Sequence, residues 1–570
     1  MSTQAPHTDR RRAGTLFLLL AAAALVAGVL HASKLWYVDD DCFVSFRYAR
    51  NFINGLGLVY NAEERVEGFT NFLWTMLIAL GMKLHIDPIA FSTTLGIASF
   101  GASLALFSLM SWNRRGEGRR QILLLPLTSL ALCLHHDTAA HATSGMETAF
   151  FSFLISAAFA LMLAPGRRFA LPGAGFVFTL AMLTRPDGVV FLGAAILYLL
   201  LTDLRAVRSS FLLCVPVLLL FVPYWFIRYS YYGFFFPNTF YAKSIDLSYY
   251  SQGFEYARLY AVTYPVLFLF PVLCVAAVVR EWRRPAGAGI RAALRSGRPH
   301  PVLLAGLFAA AYILFTIRIG GDFMFARFFI PITPFIYFGT ERLLHRLTSG
   351  PVFLILAAVL LLGTAFRFDQ YGNDVFVGYV ADEQRYFHTV EPLELSIEQA
   401  SLLRKHLGDF PVRVGFYAGQ LRLIYYLDPP FAVECSAGLT DTAIAHQSLA
   451  VRGRPGHEKK PTTEYLRQRR VQFYLGPTHP VPAGQIALNA ISFDSLHCRI
   501  ITYDNAIMNV LERDSGVAFI HLPSYLDRYI ADMHALSKSQ VYQQYLFLKP
   551  FYFDINRDSV REAAFLRYLE

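Results

Sequence analysis

Three consecutive carboxylates, Asp39, Asp40 and Asp41, stand directly after the first apolar segment of the chain. Charge at a membrane surface is costly unless water, a partner or chemistry uses it, and a carboxylate within hydrogen-bonding distance of a hydroxyl can act as a general base. Asp also often caps a helix, and a helical pattern starts near Cys42. The amphipathic run CFVSFRYARNFINGLG that follows would lie flat on a membrane and hold Asp40 and Asp41 at the rim of a cavity. By itself this stretch leaves both interpretations, a base and a cap, open.

Lone basic residues stand in other polar loops, close to the ends of apolar runs. Arg185, Lys243 and Arg327 belong to the loops TRPDG, PNTFYAK and GGDFMFAR. Cations so placed could stabilise the charge of a lipid-linked phosphate leaving group, although long basic side chains also snorkel at membrane surfaces without a chemical role. We predict phosphate contact for Lys243 and Arg327 and also for Arg185, for which pairing with Asp187 is the alternative.

Further polar residues of these loops and of the C-terminal region are predicted to position substrates: Glu67, Glu147, Asp322, His457, Glu458 and Lys459. Glu147 could hydrogen-bond an acceptor sugar, and Asp322 could pair with Arg327, act as a base or bind a metal. The last three belong to the polar stretch 438–461, which is either an exposed loop or an arm that folds back over the cavity and binds the acceptor. The loops show no strong metal-binding constellation, so we expect no metal site.

The composition indicates a polytopic membrane protein. The 570 residues are 55% hydrophobic and 16% charged, which is little charge for a soluble protein of this size. The net charge of +10 comes mainly from arginines in short runs between apolar segments, whereas a nucleic-acid-binding protein would gather them on one soluble face. The six cysteines have no spacing typical of zinc or redox sites, and a disulfide between Cys435 and Cys498 stays open.

Apolar runs close to the roughly 20 residues that a membrane-spanning helix needs recur along the chain. About eleven spans are predicted, at 15–32, 88–112, 121–136, 147–164, 171–184, 188–203, 210–229, 258–280, 301–318, 328–344 and 351–366. We expect the shorter run 71–84 to lie in or dip into the outer interface. A cleaved signal peptide is the alternative for the first run, but the assignment of sides favours an uncleaved anchor.

Arginines assign the two sides of the membrane. With the N-terminus inside, alternate connections carry Arg114, Arg115, Arg119, Arg120, Arg167, Arg168, Arg205, Arg208, Arg280, Arg283, Arg284, Arg291, Arg295, Arg298, Arg342 and Arg346. These connections are therefore predicted to be cytoplasmic. The opposite connections hold the acidic stretch and the loops with lone cations, so the candidate chemistry lies on the outer face.

After Arg367 no apolar run is long enough to span a membrane. Short β-like runs alternate there with helical patterns, and they lie at 412–419, 431–438, 471–476, 499–513 and 517–522. A region of about 200 residues has the size of one soluble domain. We predict a membrane domain at 1–366, with its first outer loop at 33–87, and an extracytoplasmic α/β domain at 367–570.

Six motifs that occur in order along the chain carry a family resemblance. They are DDxFxxFRYARNxxxGxGLVYNxxERVEGFTNFLW, TSGMET, TRPDG, PNTFYAK, GGDFMFARF and GRPGHEK. Together they resemble bacterial GT-C fold glycosyltransferases of the mycobacterial terminal arabinofuranosyltransferase type. The resemblance implies a polyprenyl monophosphate donor that enters from the membrane, and an acidic pair in the first outer loop that falls on Asp40 and Asp41. Asp39 has no counterpart, and Cys42 replaces the Ala or Gly expected after the pair.

These observations predict a multi-pass glycosyltransferase of the bacterial cytoplasmic membrane with its active site on the periplasmic side. It would transfer a sugar, with D-arabinofuranose as the candidate, from a polyprenyl-phosphate donor to a glycan or glycoprotein of the cell envelope. We expect no cofactor, while a divalent cation stays open. The alternative is a transporter or flippase of lipid-linked sugars, which should carry ionisable residues near mid-membrane and often has repeated halves. The polar motifs here gather on one face, which favours the enzyme.

Overall fold

The computed structural model of the chain describes residues 7–112, 125–164, 167–282, 300–476 and 487–570. The chain packs into two compact units, each assembled from separate stretches. The first, the helical unit, comprises Met1–Ala49, Thr70–Phe235 and Ile245–Val390, and the second, the α/β unit, comprises Arg50–Phe69, Phe236–Ser244 and Glu391–Glu570. These two units are defined by how the chain packs. They do not test the predicted boundary between a membrane domain and an extracytoplasmic domain at residues 366 and 367, which stays a prediction.

The helical unit consists mainly of apolar α-helices. Their bounds are His7–Lys34, Cys42–Ile53, which continues into the second unit, Phe72–Lys83, Pro88–Trp112, Leu127–Leu134, His136–His141, Thr148–Leu163, Arg167–Thr184, Gly188–Thr202, Ala206–Pro216, Val222–Tyr232, Tyr250–Thr263, Leu269–Trp282, Pro301–Ile319, Thr333–Leu347, Gly350–Ala365 and Glu383–Arg385. Shorter helical turns of other types lie at Val217–Phe221, Pro265–Phe268 and Tyr386–Val390. A hairpin of strands β1 (Phe376–Val377) and β2 (Val380–Ala381) completes the unit.

Among the described residues, four helices are long and apolar enough to cross a membrane: Gly14–Lys34, Pro88–Trp112, Ala206–Tyr232 and Pro301–Ile319. The helices Tyr250–Thr263 and Pro265–Arg280 meet at 98° and would add a fifth crossing if they form one span. The number of eleven spans stays a prediction. The predicted connections 113–120 and 283–299, and residues 121–124 of the third predicted span, lie outside the described residues.

Aromatic side chains form the centre of the helical unit. Phe335 packs edge-to-face on Phe308, with ring centroids 5.3 Å apart, and lies 4.8 Å from the ring of Phe159. Such pairs add stabilisation beyond the apolar area that they bury. Gly96 allows the helix Pro88–Trp112 to approach the loop before Glu147, because a Cβ at this position would lie 2.3 Å from the Ala142 carbonyl oxygen. The loop that leads to Glu147 is thus held against a close-packed core.

The α/β unit is built on a six-stranded mixed sheet with the strand order β4-β3-β5-β7-β6-β8. Its strands are β3 (Arg413–Phe416), β4 (Phe431–Glu434), β5 (Phe473–Leu475), β6 (Ala490–Phe493), β7 (Leu496–Ile500) and β8 (Val517–Phe519). Strand β3 pairs in parallel with β4 and β5, whereas the remaining pairs are antiparallel. The parallel part therefore needs crossover connections, and these supply the polar stretch after β4.

Helices and short helical turns surround this sheet. Their bounds are Asn238–Ala242, Leu393–Leu407, Ala418–Gln420, Leu421–Leu427, Thr442–Ala445, Thr463–Gln468, Asn505–Leu511, Leu522–Asp532, Met533–Ala535, Lys538–Leu548, Lys549–Phe553, Asp554–Asn556 and Ser559–Leu569. Four of the five predicted β-like runs contain a whole strand. The run 499–513 contains only the last two residues of β7 and then forms the helix Asn505–Leu511, because Asp504 caps a helix there by accepting a hydrogen bond from the Ala506 amide.

The edge strand β4 is covered by the segment 50–69 of the same unit. The side-chain amide of Asn61 donates to the Ala432 carbonyl at 3.0 Å and accepts from the Ala432 amide at 2.9 Å. Arg413 and Arg469 form ion pairs with Glu63 and Glu64 on this segment. The backbone groups of an edge strand, which could otherwise pair with another chain, are thereby partly occupied.

All six cysteines are free thiols in the structure. Cys435 and Cys498 are buried in the α/β unit, and burial raises the pKa of the Cys498 thiol to about 12. The disulfide that the sequence left open is therefore not formed.

Candidate active site

The acidic stretch of the helical unit is buried and tightly anchored. Asp39 is 0% exposed and Asp40 6% exposed, while Asp41 is half-buried. The Asp39 amide donates to the Ser144 carbonyl at 2.9 Å, and its carboxylate accepts from the Asp41 amide at 3.0 Å. Asp39, for which the resemblance implies no counterpart, thus sets the backbone on which Asp40 and Asp41 stand.

The helix Cys42–Ile53 begins directly after the acidic stretch. The carbonyls of Asp40 and Asp41 accept hydrogen bonds from the amides of Phe43 and Val44, at 3.0 and 3.2 Å. The stretch therefore does open a helix, where negative charge is favourable. One oxygen from each of the three carboxylates lies within 4.8 Å of the others, and hard oxygen ligands so grouped could hold a divalent cation. The expectation of no metal site, with a divalent cation left open, stays a prediction.

Glu147 joins two buried arginines in the same unit. It is 2% exposed and lies at the N-terminus of the helix Thr148–Leu163. Its Oε1 accepts from Arg185 Nη1 and from Arg327 Nη2, both at 3.3 Å, and its Oε2 accepts from Asn71 Nδ2 at 2.9 Å. Glu147, predicted as an acceptor-binding residue, is thus a counter-ion that holds the two predicted phosphate-binding arginines side by side.

Each arginine has a second carboxylate of its own. Arg327 donates through Nη1 to Asp322 at 3.2 Å, so the pair that the sequence suggested for Asp322 is formed. Arg185 pairs with Asp187 at 2.9 Å, and the Tyr312 hydroxyl donates to the same carboxylate. The alternative pairing predicted for Arg185 is therefore present, together with the contact to Glu147.

Aromatic rings enclose this cluster, and the charges within it determine the protonation of its side chains. The Arg185 guanidinium lies 4.9 Å from the ring centroid of Phe328 and 5.3 Å from that of Phe151. Burial alone would raise the pKa of Glu147, but the charges of Arg327 and Arg185 outweigh it and lower that pKa. Burial by itself would lower the pKa of Arg327. The charges of Asp322, Glu147 and Asp41 outweigh burial and raise that pKa, so the guanidinium stays protonated. Of the two arginines, Arg327 is therefore the one whose pKa the charge of Asp41 raises.

The remaining predicted residues lie in the α/β unit. Lys243 is half-buried and follows the short helix Asn238–Ala242. Glu67 is 4% exposed, and its carbonyl accepts from the Asn238 amide at 3.1 Å. The side chain of Glu458 binds Arg452 at 2.7 Å. The roles predicted for these residues stay predictions.

His457 and Lys459 have partners inside the α/β unit. His457 Nδ1 lies 3.2 Å from the Pro455 carbonyl, and its ring centroid is 6.2 Å from that of Tyr417. Lys459 is 5% exposed and donates to the carbonyls of Tyr241 and Ala445. Their predicted contact with the acceptor is not tested by these bonds and stays a prediction.

A second buried ion network in the helical unit escaped the sequence analysis. Arg367 donates to Asp137 at 3.2 Å and to Asp382 at 2.9 Å, and the Tyr264 hydroxyl also donates to Asp137. Burial alone would raise the pKa of Asp137, but the charge of Arg367 and of neighbouring histidines lowers it to about 2. The sequence signal was the acidic residue inside HHDTAAH, an otherwise neutral loop. The network joins this loop to the chain that follows the last predicted span.

Comparison with known proteins tests the family resemblance. A scan of the chain against family models finds no match. A terminal beta-(1->2)-arabinofuranosyltransferase of Mycobacterium tuberculosis is 26% identical over 340 residues, which are 55% of this chain and 53% of the relative. The protein of the same name from Corynebacterium glutamicum is 28% identical over 335 residues, 54% of this chain and 48% of the relative. The predicted resemblance is confirmed. The region of similarity spans about half the length of each of these curated relatives.

Solved structures test the fold. The crystal structure of ArnT from Cupriavidus metallidurans bound to undecaprenyl phosphate superposes with a TM-score of 0.51 and 19% identity, over 74% of this chain and 86% of ArnT. The apo structure of the same protein gives a TM-score of 0.50 and 18% identity, over 82% and 93%. The chain therefore has the GT-C type fold of ArnT. Together with the apolar helices, this fold indicates a multi-pass helical membrane protein, as predicted.

Proposed function

We propose that the chain is a glycosyltransferase of the bacterial cytoplasmic membrane. It transfers a sugar, with D-arabinofuranose as the candidate, from a polyprenyl-phosphate donor to a cell-envelope glycan or glycoprotein on the outer face. Both relatives are named as arabinofuranosyltransferases, and ArnT was solved with undecaprenyl phosphate. The observation that carries the proposal is the arginine cluster of the helical unit, in which two buried guanidinium groups converge on Glu147.

The arginine cluster suits a lipid phosphate. Arg327 and Arg185 are 8% and 6% exposed, and buried guanidinium groups bind phosphate oxygens through paired N–H groups. Arg327 also has a buried Nε without a hydrogen-bond partner among the described residues. As the bond between sugar and phosphate breaks, negative charge grows on the departing phosphate, and preformed cations stabilise it without reorganising. We assign donor phosphate binding to Arg327 and Arg185, and also to Lys243 of the α/β unit.

The acidic stretch supplies the complementary charge. Asp40 or Asp41 accepts the proton of the acceptor hydroxyl as that oxygen attacks the anomeric carbon, or stabilises the positive charge that grows on the sugar. Asp39 holds the loop through its bonds to the Ser144 carbonyl and the Asp41 amide. The catalytic contribution then lies in positioning and in fixed charge, which act strongly where water is excluded.

The remaining residues are proposed to position substrates. Asp322 orients Arg327 through their ion pair, and Glu147 sets the spacing of the two arginines. For Glu147, a contact with an acceptor hydroxyl is the second proposed role. We propose acceptor contacts for Glu67 and for His457, Glu458 and Lys459 in the α/β unit. No cofactor is assigned. Turnover measured with and without EDTA distinguishes direct carboxylate chemistry from chemistry assisted by a cation at Asp39–Asp41, and the same rate in both is expected.

The decisive experiment measures transfer from synthetic polyprenyl-phosphate arabinofuranose in membranes that contain Asp40→Asn or Asp41→Asn. The variant that lacks the base should lose about 100-fold or more in turnover, since general base catalysis contributes roughly 10²–10⁴-fold. A matched control is Asp246→Asn, which makes the same substitution at an exposed aspartate of the helical unit. Undiminished turnover in both active-site variants would remove the proposed role of the pair.

A transport assay separates the enzyme from the alternative. Vesicles that contain the protein and a fluorescent lipid-linked sugar would show movement between leaflets if the chain were a flippase. Transfer of the sugar to an acceptor without such movement is expected. Movement without any modified acceptor would overturn the proposal.

A further inference from the structure

The segment Phe236–Ser244 of the α/β unit, which carries Lys243, is held by side chains from the polar stretch after strand β4. We propose that Lys459 and Arg452 are positioning residues that fix this segment and thereby the cation that binds the donor phosphate. The inference deepens the proposed function and rests on it, since it assumes that Lys243 contacts the donor. The polar stretch would then act through Lys243 as well as through any acceptor contact of its own.

Lys459 makes the most enclosed of these contacts. Its ammonium group donates to the Tyr241 carbonyl at 2.7 Å and to the Ala445 carbonyl at 2.5 Å, while its own amide donates to the Ser436 carbonyl at 3.1 Å. An ammonium group has three donors, and two of them are bound to carbonyls on two different stretches of chain. Lys459 therefore joins the segment 236–244 to the loop after β4.

Arg452 hydrogen-bonds to the C-terminal end of the same segment. Its guanidinium donates to the Ser244 carbonyl at 3.2 Å and approaches the Lys243 carbonyl at 3.5 Å. Glu458 keeps this guanidinium in place by accepting from its Nε at 2.7 Å and from the Gly453 amide at 2.8 Å. The side chain of Glu458 is 1% exposed, so the ion pair is shielded from solvent and salt.

The start of the segment is held by an amide and a ring. Asn238 Nδ2 donates to the carbonyls of Gly438 and Leu439, at 2.8 and 3.0 Å. The ring of Tyr241 stacks on that of His446 with centroids 4.1 Å apart. The segment is thus fixed at its first residues, its middle and its end, all by the stretch that follows β4.

That stretch is itself rigid because a buried carboxylate organises it. Glu434, the last residue of β4, is 0% exposed and accepts hydrogen bonds from the amides of Ser436, Ala437, Gly438 and Leu439. Burial raises the pKa of Glu434, while these amides oppose the shift. The carbonyls that bind Asn238 therefore belong to a loop with a set conformation.

Electrostatics explains why the residues that bind the carbonyls of this segment, Lys459 and Arg452, are cationic. The carbonyls of Tyr241, Lys243 and Ser244 lie at or just after the C-terminal end of the short helix Asn238–Ala242, where few backbone amides remain to donate to them; the Tyr241 carbonyl accepts from the Ser244 amide and from Lys459. Lysine and arginine side chains satisfy such carbonyls and favour this end of a helix. A lysine on an ordered segment loses less conformational freedom when it binds a phosphate than one on a mobile loop. Fixing the segment should therefore strengthen donor binding.

Two adjacent lysines provide a matched test. Lys459→Gln removes the buried ammonium group, whereas Lys460→Gln removes the same charge from an exposed position one residue away. Hydrogen–deuterium exchange of the full-length protein in detergent reports on the amides of Lys243 and Ser244, which donate to the carbonyls of Thr239 and Tyr241. Exchange at these amides should accelerate about tenfold or more in Lys459→Gln and stay within about twofold of the wild type in Lys460→Gln.

Kinetics with the synthetic donor gives the second readout. Lys459→Gln should raise the donor KM about tenfold and change kcat less than about threefold, because it weakens donor binding without touching the reacting atoms. Lys243→Gln should raise the donor KM at least as much, and Lys459→Arg should restore much of the wild-type value. Purely structural damage would lower kcat and the amount of folded protein together.

The outcomes separate the inference from the function on which it rests. Equal exchange in Lys459→Gln and Lys460→Gln would overturn the inference, and so would faster exchange in Lys459→Gln with an unchanged donor KM. An unchanged donor KM in Lys243→Gln would overturn the link to the donor phosphate. Wild-type membranes without any transfer would refute the proposed function, whereas exchange, which needs no turnover, would still decide whether Lys459 fixes the segment.

Discussion

Glu147→Gln is the sharpest perturbation of the arginine cluster. The substitution keeps the shape of the side chain but removes the negative charge on which two buried guanidinium groups converge. Arg185 and Arg327 repel each other, and Glu147 is the group that bonds to both. We expect the variant to be less stable and to bind the donor phosphate less well, because the arginines should move apart.

The size of the effect follows from what each arginine retains. Removing one partner from a buried ion pair costs about 3–5 kcal/mol. Here Arg327 still has Asp322 at 3.2 Å, and Arg185 still has Asp187 at 2.9 Å. We therefore expect a smaller loss, about 2–3 kcal/mol in the free energy of unfolding. With about 2 °C per kcal/mol for a large domain, the midpoint of thermal unfolding should fall by about 4–6 °C.

Thermal unfolding can be followed with a maleimide dye that fluoresces on reaction with thiols. Cys42 and Cys133 are buried in the helical unit, so they react only when this unit opens. Mass spectrometry of labelled peptides separates them from the half-buried Cys214 and Cys274 of the same unit and from the cysteines of the α/β unit. The matched control is Glu255→Gln, which breaks the exposed ion pair with Arg258. Exposed pairs contribute about 0–1 kcal/mol, so this variant should unfold within about 2 °C of the wild type.

The pH dependence supplies a second check. The pKa of Glu147 is lower in the folded protein than its ordinary value, so its stabilisation is complete above the unfolded pKa and is lost as the pH falls through the folded pKa. The stability gap between the wild type and Glu147→Gln should be constant from about pH 8 to 5 and narrow below about pH 4.3. A gap no larger than that of the Glu255 control, or one that widens on acidification, would refute the argument.

Two further substitutions test the surroundings of the site. Arg367→Gln leaves the buried Asp137 without its cation, so stability at pH 7 should fall by about 3–5 kcal/mol and recover in part by pH 5, as the unpaired carboxylates bind protons. Equal losses at both pH values would contradict this. Gly145→Ala should cost about 1–3 kcal/mol and slow transfer, because φ is +80° and the new Cβ would lie 3.0 Å from Cys42 Sγ. Gly55→Ala has the same φ with no atom within 4 Å, so it isolates the backbone cost; an equal loss in both variants would show that the contact is unimportant.

The sequence predicted the members of the cluster better than their partners. Glu147, Arg185 and Arg327 stood out because each is a charged residue in a short polar loop at the end of an apolar run, and such loops meet when helices pack side by side. The pairs of Arg185 with Asp187 and of Arg327 with Asp322 are local, and both were foreseen as alternatives. Residue type and spacing thus carry the information for short-range pairs.

Long-range partners left no such trace. Asn71 binds Glu147 across 76 residues, and Arg367 binds Asp137 across 230 residues. No periodicity in one sequence links positions so far apart, because these bonds depend on how helices stack. The helix that was missed within 499–513 has a local cause instead. Its apolar content favoured a strand, while the helical spacing of Ile507, Met508 and Leu511 and the cap before them decided the outcome.

The cover over strand β4 has a consequence for biosynthesis. Asn61 and its partner Ala432 are 371 residues apart in the chain. At a synthesis rate of about 5–20 residues per second, the ribosome needs roughly 20 to 75 s to make the partner after it has made Asn61.

During that interval the segment around Asn61 has been synthesised, but the sheet to which it binds has not. Conversely, a fragment that begins at Glu391 would contain the sheet without its cover, and the open edge would favour association between copies. The α/β unit is therefore assembled from stretches of chain that are synthesised tens of seconds apart, so its sheet edge can be covered only after strand β4 has been made.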